Sequence, residues 1–233
     1  MKSSTPTSLV LEFSSKTGSI ALMSSAGETI TAPITIGRRE DDDIFPSIEK
    51  NAATLGISPR DIALVIVSIG PGGFTGLRTA VAIAKMIALV SGATIVPVES
   101  AIVTVQQANQ GAGPFAVISS VKDDEFWFSN IVMTDDAWVC TSKLTTSNDL
   151  LPNLKGVVGV FADSYIPEEA TGIIQQQNIP MYTSAPNAKA LLQVGLELYT
   201  AGKSTEPASL LPLYPREPEA VRLWNARKSP ESR

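Results

Sequence analysis

The chain has 233 residues, 44% apolar and 18% charged, with a net charge of −5. That balance describes one large or two small folded units rather than a disordered chain, and it lacks the basic footprint of a nucleic-acid binder. There is no histidine and one cysteine, Cys140, which removes histidine–metal sites, imidazole bases, Ser-His-Asp triads and intrachain disulfides together.

Ser8 to Ser14 reads as a first strand, Gly18 to Met23 as a second and Thr29 to Ile36 as a third, joined by short turns as in an antiparallel meander. The charged run Arg38 to Asp43 precedes Ile44, Phe45, Ile48, Ala52 and Leu55, whose spacing predicts a helix ended by Gly56. Asp61 to Ile69 is a short, continuous, β-branched run, as in a strand covered on both faces. A glycine-rich turn follows, then a helix from Thr75 to Val90, a strand at Thr94 to Val98 and a helix at Ser100 to Gln110. The longest apolar-rich stretch, Thr79 to Val90, is interrupted by Lys85 and reads as too short for a membrane span. The polar start, Met1 to Ser8, lacks the apolar core of a signal peptide, so a cytoplasmic location is expected.

Gln110-Gly111-Ala112-Gly113-Pro114 reads as a boundary between an N-terminal α/β unit, 1–110, and a C-terminal one, 111–233. Beyond it come strands at Phe115 to Ser119, Glu125 to Met133 and Trp138 to Leu144. A short helix near Asn148, a strand at Val157 to Phe161, a helix at Pro167 to Gln177, an extended Met181-Tyr182 and a helix at Asn187 to Ala201 complete the pattern. Leu210 to Lys228 reads as a surface tail with a short helix at Pro218 to Ala226. Both halves thus begin with three strands and continue in alternating helices and strands. That layout resembles the two-subdomain actin, sugar kinase and Hsp70 (ribonuclease H-like) fold, an α/β class with a mixed sheet in each half.

The chemistry concentrates at Gly70-Pro71-Gly72-Gly73-Phe74-Thr75-Gly76-Leu77-Arg78. Its glycines permit close approach of backbone or ligand, Thr75 suits a helix cap, and free N–H groups at a helix start favour anions, with Arg78 one turn in. The Walker A spacing is absent. Gly70, Gly72 and Gly76 give a loose dinucleotide fingerprint, with Glu99 after the next strand where a ribose acid would sit, although the third glycine is one residue late. A turn built for tight packing alone is the plainer alternative.

The nine-residue string followed by Thr79-Ala80-Val81-Ala82-Ile83-Ala84-Lys85 resembles the signature of the TsaB (YeaZ) family. The first hairpin, Leu9 to Leu22, and the segment Pro212-Leu213-Tyr214-Pro215-Arg216 are similar to that family too. The chain departs from it at Glu12, where the family has Asp, at Glu40, where it has His, and at Lys122-Asp123-Asp124-Glu125, where it has an Asp-Ala-Arg stretch. The resemblance implies a non-catalytic scaffold that dimerises with a TsaD homologue, joined by a TsaE homologue, for threonylcarbamoylation of adenosine beside the tRNA anticodon. It implies no catalytic or metal-binding residues, no peptidase activity, no required cofactor and tRNA contact only through the complex; a homodimer and a monomer are both open for the chain without its partner.

A helix apolar nearly all round needs burial on two sides. Burial between the sheet and other helices of the same chain would meet that need; the family resemblance instead implies a partner interface at Phe74, Leu77, Arg78, Val81, Ala82, Ala84 and Lys85, with Ile44 and Ile48 of the preceding helix. Glu12, Gly72, Gly73, Thr75, Gly76 and Arg78 are the expected nucleotide-binding set, with ATP or ADP at that interface. A dinucleotide-dependent enzyme and an ATP-using, kinase-like member of the same superfamily are the competing functions.

Overall fold

The computed structural model describes residues 5–35, 43–108, 111, 113–135, 137–214 and 224. Its first half contains β1 (Ser8–Glu12), β2 (Thr17–Met23), β3 (Thr29–Thr35), α1 (Ile44–Leu55), β4 (Leu64–Gly70), α2 (Phe74–Ser91), β5 (Thr94–Glu99) and α3 (Ser100–Ala108). The second contains β6 (Phe115–Lys122), β7 (Glu125–Thr134), β8 (Ala137–Thr146), α4 (Leu150–Asn153), β9 (Gly159–Ala162), α5 (Glu168–Gln176), β10 (Met181–Thr183) and α6 (Ala188–Thr200).

The two halves have the same sheet topology. The first sheet runs β3-β2-β1-β4-β5 and the second β8-β7-β6-β9-β10. In each, a three-stranded antiparallel meander is extended by two parallel strands beside its first strand. This is the duplicated mixed sheet of the actin-like, ribonuclease H-like class. The meanders form because their strands are linked by turns too short for a crossover. The parallel strands each follow a helix that supplies one.

Each face of the first sheet has its own core. Leu9, Leu11, Ile20, Leu22, Val65 and Val67 point toward α1 and α2, while Val10, Ala21, Ile66, Val96 and Val98 point toward α3 and α6. The alternation along β1 is the period-two pleat, and burial of both faces explains why β4 reads as a continuous apolar run. β4 begins later than its sequence suggests. Asp61 closes a short turn instead, its carboxylate accepting from the Ser58 amide at 2.7 Å.

α6 follows the second sheet in sequence but packs on the first. Leu191 and Val194 sit against β1, β2, β4 and β5. Gly195 makes this contact close: a Cβ there would lie 2.3 Å from Ile66 Cγ2. The chain then stays on that sheet. Thr205 bridges Ile95, Leu210 is buried in the α2-side core, and the Leu213 amide donates to Ile69 O at 2.7 Å. The tail expected at the surface from Leu210 thus begins as a core strap; the helix expected at Pro218 to Ala226 lies outside the described residues apart from Trp224.

The membrane expectation also needs correction. α2 is 18 residues long with a mean hydropathy of 1.4, long and apolar enough to cross a membrane by length and composition. Its Leu77, Ala80, Val81, Ile83, Ala84 and Ala88 are nevertheless buried on the first sheet. Lys85 does not shorten the helix, because a single charged residue at its half-buried border leaves the apolar pattern intact.

Candidate functional site

The glycine turn links the end of β4 to the start of α2 and lies against the turn between β1 and β2. A Cβ on Gly72 would lie 2.2 Å from Ser14 O, and the Gly73 amide donates to the same carbonyl at 2.7 Å. Ser100 Oγ, at the start of α3, donates to Pro71 O. The turn is therefore clamped from both sides by the protein's own chain. Gly72 is glycine because a neighbouring backbone occupies the space of a side chain.

Behind Ser14 stands Glu12, wholly buried at the end of β1. Its Oε1 accepts from the Ser14 amide at 2.9 Å and from Ser14 Oγ. Its Oε2 and the buried Ser68 Oγ on β4 make no hydrogen bond of full geometry, although Ser68 is close enough to Glu12 to favour the charged carboxylate slightly. Burial pushes this carboxyl above its ordinary range, and the Ser14 hydrogen bonds oppose that shift without cancelling it. Through Ser14 this carboxyl holds the turn.

Of the expected nucleotide-binding residues, Gly72 and Gly73 line the cleft described below, and Glu12, Thr75, Gly76 and Arg78 do not. Thr75 is the second residue of α2; the cap position is Gly73, which supplies no side chain. Gly76 is buried within the helix. Arg78 points elsewhere, its guanidinium 5.1 Å from the centroid of the Phe74 ring. Phe74 in turn meets Tyr214 of the strap, with ring centroids 5.0 Å apart.

The cavity is a cleft of about 1180 Å³ between the two halves. Its first wall is the β1–β2 turn, the glycine turn and the start of α3. Its second is the end of β6, Trp127 of β7, the Asp163-Ser164-Tyr165 loop and the residues after β10. Sequence reading placed no site residue on the second wall: Lys122 stands only in the stretch that departs from the family's Asp-Ala-Arg pattern, and Tyr165 belongs to no motif; the fold brings them to the same cleft as Lys16.

The expected interface residues divide by helical face. Leu77, Val81, Ala84 and Ile44 are buried against the first sheet, and Ile48 packs on the same core. Leu77, Val81, Ala84 and Ile44 thus present little surface, while Ile48 is half-buried. Phe74, Arg78 and Ala82 are exposed, and Lys85 is half-buried. The same outer face carries three residues that sequence reasoning passed over: Met86, Leu89 and Val90, at 44, 78 and 64% exposure. Arg78, Ala82, Lys85, Met86 and Leu89 follow the three- and four-residue steps of one helix face, so the signal was present.

Cys140 is half-buried on β8. Burial first, and a hydrogen bond with Glu99 second, push its thiol up to about 12, which disfavours a nucleophilic thiolate. Among the described residues, no three acidic, histidine or cysteine side chains converge as a metal site.

Residues 31–133 match the family model TsaD, tRNA N6-adenosine threonylcarbamoyltransferase. Two solved structures share the fold over nearly the whole chain. One is an uncharacterized protein with similarity to peptidase YeaZ from Pseudomonas aeruginosa, 21% identical with a TM-score of 0.74, covering 91% of this chain and 100% of that one. The other is YeaZ from Pseudomonas aeruginosa, 20% identical with a TM-score of 0.72, covering 90% and 100%. The two structures show that the chain has the YeaZ fold. No curated protein sequence matches the chain. The match to TsaD begins in β3 and ends in β7, so it takes in the glycine turn, α2 and the β6–β7 turn where the chain departs from the TsaB pattern. In that turn Asp124 has a bracing role: its carboxylate accepts from the Ser147 amide at 3.1 Å and from Ser147 Oγ.

Proposed function

We propose that this protein is a non-catalytic subunit that pairs with a TsaD homologue, and that the outer face of α2 is its docking surface. The observation that carries this reading is the row Phe74, Ala82, Met86, Leu89 and Val90, exposed on a helix whose opposite face is fully engaged with its own sheet. Contiguous exposed apolar side chains flanked by Arg78 and Lys85 are the composition of a protein interface, where aromatic residues, Met and Arg are enriched. α1 packs on the same core as α2 and adds the exposed Phe45. The TsaD family match and the YeaZ fold support the choice of partner.

In this reading the pair serves threonylcarbamoyl transfer to adenosine beside the tRNA anticodon in the cytoplasm. A TsaE homologue joins the pair, the partner performs the chemistry, and tRNA is met through the complex. The same stripe serves self-pairing when the partner is missing. ATP or ADP would sit at the interface between subunits, not at the glycine turn, whose Gly73 amide is already engaged by Ser14 O.

The test is co-purification of the full chain with the TsaD homologue of its native extract. Leu89→Arg and Met86→Glu should abolish capture while circular dichroism and the melting temperature stay at wild-type values. Capture that survives both substitutions with the fold intact overturns the assignment.

A further inference from the structure

A sheet edge is a row of unpaired N–H and C=O groups, which folded chains cover or blunt. Three of the four edges of the two sheets are dealt with inside the chain. β3 carries Pro33, which has no N–H to offer. β5 is bridged by Thr205, whose amide donates to Ile95 O at 3.0 Å. β10 is only three residues long. β8 is different. It is a ten-residue edge with no proline and one charged side chain, Lys143, and its pairing with β7 runs from Ala137 to Thr146 without a bulge. Among the described residues, no backbone outside β7 hydrogen-bonds to it.

Which backbone groups face outward follows from the hairpin. Thr134 and Ala137 flank a two-residue turn and form its closing pair, which is hydrogen-bonded in turns of that length. Hydrogen-bonded and non-hydrogen-bonded pairs then alternate along the strands. Ala137, Val139, Thr141 and Lys143 therefore bond to β7, while Trp138, Cys140, Ser142 and Leu144 direct their N–H and C=O groups to the open edge. The side chains alternate as well. Val139, Thr141 and Lys143 are exposed on one face, and Trp138, Cys140, Ser142 and Leu144 are half-buried on the other. Trp138 is held in place there, its Nε1 donating to Gln106 Oε1 at 2.8 Å.

We propose that β8 pairs antiparallel with β8 of a second copy of this chain, about a twofold axis at Thr141. This register sets Cys140 opposite Ser142 and Trp138 opposite Leu144, so the outward backbone groups of each strand meet those of the other. It also matches the two largest apolar side chains of the half-buried face, Trp138 and Leu144. Thr141 meets Thr141, a pair able to hydrogen-bond across strands. Lys143 meets Val139 and not a second Lys143, so no like charges are opposed. A slip of one residue would set exposed side chains against half-buried ones along the whole strand. The strand is thus complementary to itself, which is the requirement of a twofold contact.

Sedimentation velocity of the full chain tests this, with Leu89→Arg in place so that the α2 stripe does not contribute. A dimer with a dissociation constant below about 100 μM is expected. Thr141→Lys and Thr141→Glu each set like charges opposite one another, and each should weaken the dimer by about fivefold. An equal mixture of the two variants should restore it. Thr141 is exposed, so these variants keep the fold, and circular dichroism checks it. A parent chain that stays monomeric overturns the proposal and leaves the edge to an extended segment of another protein. A dimer that neither variant weakens, or a mixture that stays dissociated, also overturns it. A dimer weakened by Thr141→Lys but strengthened by Thr141→Glu overturns the twofold at Thr141, since Thr141 would then face Lys143. None of these outcomes bears on the α2 docking surface, which capture of the TsaD homologue tests by itself.

Discussion

The Gly73 amide donates to the Ser14 carbonyl at 2.7 Å, and this one bond fixes the start of α2 to the turn between β1 and β2. Ser14 is in turn held by Glu12 through its amide and hydroxyl. A buried acid, a strand turn and the glycine turn therefore form a single hydrogen-bonded unit, placed where the cleft meets the helix that bears the exposed stripe.

Gly72→Ala should break that unit. The added Cβ would lie 2.2 Å from Ser14 O, a contact with backbone that cannot rotate away. A loss of about 2 kcal/mol or more in unfolding free energy is expected. Denaturation in urea measures it, and a change below about 0.5 kcal/mol would show that the two turns separate at little cost.

Glu12 gives the protein a defined pH dependence. Its folded pKa lies above the ordinary carboxylate value of 4.5, because burial disfavours the charged form. The folded state therefore binds this proton more tightly than the unfolded state does. The stabilisation is fully present below the ordinary value and is lost as pH rises through the folded value. Glu12→Gln keeps a neutral side chain at every pH, so its stability relative to wild type should increase as pH rises. Urea curves for both proteins between about pH 4 and pH 8 check this, and a constant difference would argue against a raised Glu12 pKa.

Charge placed on the two faces of α2 should have opposite consequences. Val81→Asp puts a carboxylate into the core beside Ala80 and Ala84 and should unfold the protein or lower its stability by about 3 kcal/mol or more. Leu89→Arg alters a side chain that is 78% exposed and should change stability by no more than about 0.5 kcal/mol. Thermal melts of the two variants side by side decide the matter. Equal losses would mean that the outer face is covered in the folded chain.

Gly195→Ala should loosen α6 from the first sheet. Ile66 Cγ2 would lie 2.3 Å from the new Cβ, so the helix or the isoleucine must shift within a closed core. Overpacking of this kind costs about 1–3 kcal/mol. Hydrogen exchange at the amides of α6 and β4 should accelerate together, and exchange confined to α6 would place the strain in the helix alone.

Cys140 should react slowly. With its thiol pushed up to about 12, alkylation by iodoacetamide near neutral pH should run at least about a hundredfold slower than for a free cysteine and speed up steadily with pH. Rapid labelling of the folded protein would contradict the half-buried setting beside Glu99.

Much of the fold was legible in the chain itself. β-branched runs, turn residues and helical spacing placed three strands and alternating helices and strands in each half, and that order alone pointed to a duplicated mixed sheet. The string from Gly70 to Arg78 pointed to the family, and the missing histidines removed whole classes of chemistry before any coordinates. These features are local or compositional, so near neighbours in sequence carry them. Which face of α2 meets the core was not settled that way: with small and apolar residues nearly all round, only the position of the first sheet separates Val81 from Leu89. The return of α6 to the first sheet, the closure of Ser14 over Gly72 and the meeting of Lys16 with Tyr165 join residues far apart in the chain. Contacts of that range leave no periodicity to read, because they arise only when the two sheets and their connecting segments take up their places.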